Sequence, residues 1–374
     1  MILRLRNRTF DFSVDAPPSK SVFHRELIVR FLNGYKDDLE VSPEDSKDIA
    51  ATKDCLRALR DGNFILNCNE SGSTLRFMIP VAAAYLKSKG ISSDVTFKTA
   101  GRLYDRPLDD LVNCLKEHGI TLVRDDESRT ISLEGGLTEG VFTIDGSVSS
   151  QYVSGIMMAL TVLPDSSINV VGTPSSVHYI ELTQSVIDKY KNARHEEFRV
   201  EGDWSGGAFL LCLKELIDGD IKVGNLDPDS VQGDKAITDY LEACGADELS
   251  WDCKDIPDIV PYMAVVAAFR NKKTVFGNIG RLRIKESDRI AAIREQLDTA
   301  GIRTEETDET LTVYGRSETF DNDMITLKSY NDHRMVMSAM LIAAALRTDL
   351  DIDTDAPLDK SFPGLRHIIR EEFS

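Results

Sequence analysis

The sequence predicts an α/β protein of two similar domains. Three observations carry that prediction: a strongly apolar helix pattern that returns six times, an amphipathic helix pattern that alternates with it, and short β-like runs between them. About six helix pairs in 374 residues give a period of about 62, long enough to hold a small α/β module. Six modules imply two domains of about three each, each with a sheet over its helices.

The elements follow in order. MILRLRNRTFDFSVD alternates as a first strand does and lacks the apolar stretch of a signal peptide. The apolar helices are expected over 19–32, 71–86, 149–163, 204–217, 258–270 and 331–346, and apolar residues on most sides mark them as buried. The amphipathic helices end at a glycine, the common C-terminal stop: LRALRDG at Gly62, LVNCLKEHG at Gly119, YLEACG at Gly245 and IREQLDTAG at Gly301. Weaker amphipathic patterns cover 179–191 and 362–373. DVTFKTA, TLVRD, TISLEG, VFTIDG, SINVVG, FRVEGD, KTVFGNIG and TLTVYG read as strands, rich in Val, Ile, Thr and Phe beside turn residues.

Composition narrows the function. Hydrophobic residues at 42% and charged residues at 28% describe a globular chain rather than a disordered one. The formal charge of −18 argues against a general nucleic-acid or anionic-membrane binder, yet leaves room for a local basic pocket. The six cysteines have no CxxC spacing, which argues against zinc and thioredoxin-like sites and reads as reduced, buried thiols. No apolar run approaches the 18 or so residues of a membrane span, and the reading is a cytoplasmic protein. GxxxxGK[ST], HExxH, GxSxG and GxGxxG are missing, and the six histidines are scattered, so no metal site is expected.

The apolar helices open with PPSKSVFHR, NESGSTLR, GSVSSQY, GDWSGG, IPDIVP and YNDHRM. Helix N-termini present unpaired N–H groups and a partial positive charge that suits anions. Ser, Thr, Asp and Asn there also serve as ordinary N-caps, and for Asp258 after Pro257 that bland role is the stronger reading of the residues alone. Lys20, Arg25, Arg76 and Arg334 lie where the helix dipole opposes a cation, which suggests an anionic ligand to offset it. GRLYDRP adds Arg102 and Arg106, and RLRIKESDR adds Arg281, Arg283, Lys285 and Arg289 around Glu286 and Asp288. The second run taken alone is an ordinary solvated charge cluster; together these segments make a phosphate or carboxylate site plausible.

PSKSVFHR, NESGSTLRF, GRLYDRPLDDL, GSVSSQY, VEGD, Pro257-Asp258, IKESDR, YNDHRM and KSFPG occur in this order along nearly the whole chain. In that order they resemble the enolpyruvyl transferases, and within them the 5-enolpyruvylshikimate-3-phosphate synthases. The resemblance implies two domains, each of three βαβαββ units with buried helices pointing their N-termini at an interdomain cleft. It places one domain at 1–18 plus 201–374 and the other at 19–200. It implies transfer of the enolpyruvyl group of phosphoenolpyruvate to the 5-hydroxyl of shikimate 3-phosphate, through a tetrahedral intermediate, with release of phosphate. No metal and no organic cofactor is implied, and the chain is expected to act as a monomer on small molecules.

Carried over residue by residue, phosphoenolpyruvate binding falls on Lys20, Gly72, Arg102, Gln151, Arg289, Arg334 and Lys360. Shikimate 3-phosphate binding falls on Lys20, Ser21, Arg25, Ser149, Ser150, Gln151, Ser176, Tyr179, Asp258 and Lys285. Guanidinium forks suit carboxylate and phosphate, and Gly72, without a Cβ, lets a ligand or the inhibitor glyphosate approach the backbone. Asp258 is implied as the base, Glu286 as the acid toward carbon, and Lys20 as the cation that stabilises departing phosphate. A Glu that donates a proton near neutral pH needs a raised pKa, whereas Lys285 and Arg289 beside it would lower it. Glu70, Arg281, Pro18 and Trp204 depart from the family pattern. A UDP-N-acetylglucosamine enolpyruvyl transferase, which usually carries a reactive Cys near GRLYDRP, is a rival of the same fold. So is a non-catalytic phosphoanion-binding protein, which predicts loss of Asp258, Glu286 or Lys20.

Overall fold

The computed structural model describes residues 1–6, 9–174, 176–192, 198, 200–217, 219–317 and 320–372. The first strand is two short ones, β1 (Ile2–Leu3) and β2 (Phe10–Asp15), in different sheets. There follow α1 (Lys20–Leu32), α2 (Lys47–Arg60), β3 (Ile65–Asn69), α3 (Gly72–Lys89), β4 (Val95–Thr99), α4 (Asp109–Glu117), β5 (Ile120–Asp125), β6 (Thr130–Gly135), β7 (Val141–Asp145), α5 (Ser150–Ala159), β8 (Ser167–Val171) and α6 (Val177–Asn192). The rest of the chain forms α7 (Trp204–Leu216), β9 (Gly219–Gly224), α8 (Ile237–Ala243), β10 (Glu248–Asp252), α9 (Val260–Arg270), β11 (Lys273–Gly277) and α10 (Arg289–Thr299). It ends in β12 (Thr304–Glu306), β13 (Thr310–Tyr314), β14 (Met324–Leu327), α11 (His333–Leu346), β15 (Asp349–Ile352) and α12 (Leu365–Glu372). These elements gather into two compact units, Met1–Ser19 with Glu201–Ser374, and Lys20–Val200.

Within the unit Lys20–Val200, a four-stranded sheet has the order β3-β4-β6-β5, with β3 and β4 parallel and the other pairs antiparallel. β7 and β8 form a separate parallel pair. In the other unit the order β10-β11-β13-β12 repeats the same pattern of parallel and antiparallel neighbours. There β2 and β9 form the parallel pair, and a third sheet runs β1-β15-β14. One sheet over the helices of each domain was the expectation; each unit has several small sheets instead. The reason lies in the helices. Every residue from Val260 to Ala268 of α9 is buried, as are Thr74 to Ala84 of α3 and nearly all of α11. A helix apolar on all sides needs cover on all sides, which one flat layer cannot supply.

Side-chain caps set several helix starts. Ser71, Ser149, Asp203, Asp288 and Asp332 each accept a hydrogen bond from a backbone N–H in the first turn of α3, α5, α7, α10 and α11. Gly155 lets α5 approach α3 closely, since a Cβ there would lie 2.8 Å from the Arg76 carbonyl oxygen. Pro80, four residues on, has no N–H for that carbonyl.

The run FRVEGD is not a strand in its described residues, and Arg199 within it lies outside them, as does Phe373 at the end of the C-terminal helix pattern. Gly202 makes only an isolated bridge to Pro18, which has no N–H to extend a ladder. The two segments are stitched instead by Ser19 N to Glu201 O at 2.7 Å and Asp203 N to Pro17 O at 2.7 Å. The Gln232 side chain joins them, donating to Gly202 O and Glu201 Oε1 at 2.9 Å each and accepting from the Ser19 hydroxyl at 2.9 Å.

Candidate active site

In the unit Lys20–Val200, the starts of α1, α3 and α5 carry many of the side chains expected to be functional. Lys20 opens α1 and its Nζ lies 2.9 Å from Asp48 Oδ2 on α2. Ser149 caps α5, Ser150 is buried in its first turn, and Gln151 ties α5 to α3. The Gln151 amide accepts from Arg76 Nη1 at 2.7 Å and donates to Ser73 Oγ at 3.1 Å. Arg25, 2% exposed, donates to Thr183 Oγ1, Ser21 O, Ser154 Oγ and Tyr179 O. Burial lowers the Arg25 pKa to about 10, which leaves the guanidinium charged at neutral pH. It also lies over the rings of Phe77 and Tyr179, fixing Tyr179 at the start of α6 beside the buried Ser176. Behind Lys20, burial and then the charges of Lys20 and Arg25 hold His24 well below its ordinary pKa, so the ring is neutral and bonds Thr52 Oγ1 at 2.8 Å.

The loop GRLYDRP meets α3 at Gly72. A Cβ on Gly72 would lie 2.6 Å from Arg106 Nη1 and 3.1 Å from its Cζ, so only glycine gives that guanidinium its present place. The loop is pinned by Arg129 Nη2 to Gly101 O at 3.0 Å and by Arg124 Nη2 to Arg106 O at 3.2 Å. Glu70 packs its carboxyl against Gly101, whose φ of +57° already favours glycine. Arg102 is exposed on this loop.

The other unit holds a cluster of carboxylates around two buried guanidinium groups. Arg289, 1% exposed, donates from Nη1 to Asp258 Oδ1 at 2.7 Å, from Nη2 to Glu286 Oε2 at 2.8 Å, and from Nε to Asp332 Oδ2 at 2.8 Å. Lys285 Nζ lies 3.4 Å from the same Asp258 oxygen. Arg334 donates to Ser205 O at 3.1 Å, to Tyr262 Oη at 2.9 Å and to the Ser205 hydroxyl. Lys360 Nζ donates to Asn331 O at 3.1 Å, beside α11.

Charge decides the protonation of these acids. Burial works to raise the Asp258 pKa, but Lys285, Arg289 and Arg334 together hold it well below the usual carboxylate range. Asp332 is likewise lowered, burial being outweighed chiefly by Arg289. Asp258 does not cap α9: the helix begins at Val260, Ile259 occupies the cap position without a side-chain bond, and Pro261 stands in the first turn. The N-cap reading of Asp258 is thereby corrected, because its carboxylate is spent on Arg289 and Lys285.

A family model described as EPSP synthase (3-phosphoshikimate 1-carboxyvinyltransferase) matches residues 8–251 and 247–369. The chain belongs to the EPSP synthase family. A Clostridium perfringens (strain SM101 / Type A) protein named 3-phosphoshikimate 1-carboxyvinyltransferase is 32% identical, with 96% of this chain and 97% of that protein aligned. The protein of that name from Clostridioides difficile (strain 630) is 29% identical over 94% of this chain and 92% of its own length. Among solved structures, EPSP synthase from Acinetobacter baumannii superposes with a TM-score of 0.69 at 19% identity, covering 100% of this chain and 98% of that one. The enolpyruvyl transferase NikO from Streptomyces tendae gives 0.67 at 12% identity, covering 100% and 98%. At those identities the structures establish the enolpyruvyl transferase fold.

Within this EPSP synthase family member, the expected residues fall into two groups, one in each unit. Lys20, Ser21, Arg25, Gly72, Arg102, Ser149, Ser150, Gln151, Ser176 and Tyr179 lie in the unit Lys20–Val200. Asp258, Lys285, Glu286, Arg289, Arg334 and Lys360 lie in the other. The residues not anticipated are Asp48, Ser205, Tyr262 and Asp332. Asp332 stood in the quoted YNDHRM motif, where its role as cap and as Arg289 partner was open to notice. Ser205 stood in the quoted GDWSGG opening, whereas Asp48 and Tyr262 carried no local signal. Arg281, where the family pattern differs, donates to Lys254 O. Among the described residues no group of acids, histidines and cysteines could hold a metal ion, and no helix is long and apolar enough to cross a membrane.

Proposed function

We infer that this EPSP synthase family member transfers the enolpyruvyl group of phosphoenolpyruvate to the 5-hydroxyl of shikimate 3-phosphate and releases phosphate, a step of the shikimate pathway to aromatic amino acids. The observation that carries the reading is the Asp258–Lys285–Glu286–Arg289 cluster in a chain that matches the family model over nearly its whole length. The UDP-N-acetylglucosamine reading is not favoured, because the family model and the curated relatives agree on the shikimate enzyme.

Asp258 takes the proton of the attacking hydroxyl while the new C–O bond forms to the central carbon of phosphoenolpyruvate. Glu286 delivers a proton to the methylene carbon, giving a methyl group and a tetrahedral intermediate. Return of a methyl proton to Glu286 and cleavage of the C–O bond to phosphate, which leaves with the proton taken by Asp258, then restore the double bond. The low pKa of Asp258 keeps it ionised and ready at neutral pH. Substrate phosphate and carboxylate groups draw on the same cations, which weakens their hold on Asp258 and makes it a better base. Lys20 offsets charge on departing phosphate, exchanging Asp48 for it. Gly72, Arg102, Arg289, Arg334 and Lys360 serve phosphoenolpyruvate; Ser21, Ser149, Ser150, Gln151, Ser176, Tyr179 and Lys285 serve shikimate 3-phosphate, with Arg25 holding Ser21 and Tyr179 in place.

The protein acts as a monomer in the cytoplasm; each unit having its own large core supports the first, and unpaired, mostly buried cysteines support a reducing compartment. The test is phosphate release from phosphoenolpyruvate with and without shikimate 3-phosphate. Release that requires shikimate 3-phosphate supports the reading, and no release in its presence rejects it.

A further inference from the structure

The buried helices α7, α9 and α11 meet at one guanidinium. Arg334 stands in the first turn of α11 and is 4% exposed. Ser205, in the first turn of α7, spans the end of its fork. The Ser205 carbonyl accepts from Nη1 at 3.1 Å, and the Ser205 hydroxyl oxygen accepts from Nη2. Tyr262, fully buried in the first turn of α9, accepts from Nη1 at 2.9 Å through its phenol oxygen. The phenol hydrogen goes the other way, to Met337 Sδ on α11. Phe209 of α7 meets the Tyr262 ring edge-on, with centroids 6.0 Å apart, and holds it in place. Burial pushes the Tyr262 phenol up to about 12, so at neutral pH it keeps its hydrogen and presents lone pairs to Arg334.

A guanidinium carries five N–H donors in one plane. Ser205 and Tyr262 take both hydrogens of Nη1 and the end hydrogen of Nη2. What is left is the side edge, the Nε hydrogen with the Nη2 hydrogen beside it. Nε is buried and has no hydrogen-bond partner among the described residues. A buried charged donor without a partner is costly, and a two-donor edge is the shape that carboxylate and phosphate accept.

We propose that Tyr262 is a positioning residue for phosphoenolpyruvate: with Ser205 it fixes the plane of Arg334 so that the Nε edge is kept for the substrate anion. The proposal rests on the activity stated above and goes beyond it in naming what orients the cation and which edge binds. With Phe at position 262 the ring and its packing stay, but Nη1 keeps only the Ser205 carbonyl. The guanidinium plane can then turn, and binding must pay to bring it back. That loss falls on the substrate Arg334 grips. A tyrosine that served packing alone would, when changed, affect both substrates alike.

The experiment measures steady-state phosphate release by the full chain, varying each substrate in turn, with circular dichroism as the check on folding. The proteins are wild type, Tyr262→Phe, Ser205→Ala, Arg334→Lys and the double variant of Tyr262→Phe with Arg334→Lys. Tyr262→Phe is expected to raise KM for phosphoenolpyruvate about five- to twentyfold, with kcat and KM for shikimate 3-phosphate within about threefold of wild type. Ser205→Ala removes the Nη2 bond and should raise the same KM with the same selectivity, which decides the matter if Tyr262→Phe does not fold. Arg334→Lys has no planar fork to orient, so adding Tyr262→Phe to it raises that KM no further. Equal rises in both KM values, a fall in kcat at unchanged KM, or losses that add in the double variant overturn the proposal. Absence of turnover in wild type instead overturns the assigned activity.

Discussion

Replacing Gly72 with Ala separates activity from stability in a way the structure makes specific. A Cβ at position 72 would stand 2.6 Å from Arg106 Nη1, where ordinary contact begins near about 3.5 Å. The guanidinium must therefore retreat by ~0.9 Å, and it can, because the clash is with the far end of a flexible side chain. If Arg106, one of the GRLYDRP cations, is a partner of a substrate anion, a charge-assisted hydrogen bond of about 2.8 Å from it would stretch past the useful limit under such a move. Misplacement on that scale costs up to about a hundredfold in rate, so kcat/KM for phosphoenolpyruvate is expected to fall about ten- to hundredfold, with glyphosate inhibition weakened further. The fold should not suffer: Gly72 opens α3 at an ordinary negative φ, and trading Gly for Ala in a helix gains up to about 0.5–1 kcal/mol. The assay pairs phosphate-release kinetics with thermal unfolding for Gly72→Ala, Arg106→Ala and the double variant. If the methyl acts by displacing Arg106, the double variant is no worse than Arg106→Ala, a strongly non-additive cycle. Wild-type kinetics in Gly72→Ala, or additive losses, refute the reasoning.

Three further outcomes are expected. Asp258→Ala should lower kcat by about 10²- to 10⁴-fold with the fold intact, since Asp258 does not cap α9; circular dichroism and phosphate release check this, and near-normal turnover rejects Asp258 as base. Asp332→Asn keeps an acceptable N-cap for α11 but removes the charge facing buried Arg289, so it should destabilise by about 3–5 kcal/mol in urea unfolding. Because the folded pKa of Asp332 is lowered, its contribution is present above the ordinary carboxylate pKa and is lost as pH falls through the lowered value, so the wild-type advantage over Asp332→Asn should vanish at acid pH. Arg76→Ala leaves the Gln151 carbonyl without its 2.7 Å donor, and KM for shikimate 3-phosphate should rise about tenfold with kcat less affected.

The fold class and the family were legible in the sequence, because both depend on local signals. Apolar residues all round a helix, a Ser or Asp before it and a Gly after it are short-range physics, and the motif at each buried helix start is read within about eight residues. Strands were legible where β-branched residues sit beside turns, as in Val95–Thr99 or Thr310–Tyr314. They were not legible at Gly219–Gly224 or Met324–Leu327, which become strands by pairing with chain far away or with little local pattern: Gly219 pairs with Phe10. Glu286 and Arg289 stand three residues apart, so their pairing could be suspected from KESDR. That Arg289 also grips Asp332, 43 residues on, and Asp258, 31 residues back, could not. The same holds for Arg334, whose partners Ser205 and Tyr262 lie 129 and 72 residues back. Which carboxylate stays ionised depends on burial and on distances to Arg289, Lys285 and Arg334, and Coulomb energies at those distances are set by packing between segments that the chain order keeps apart.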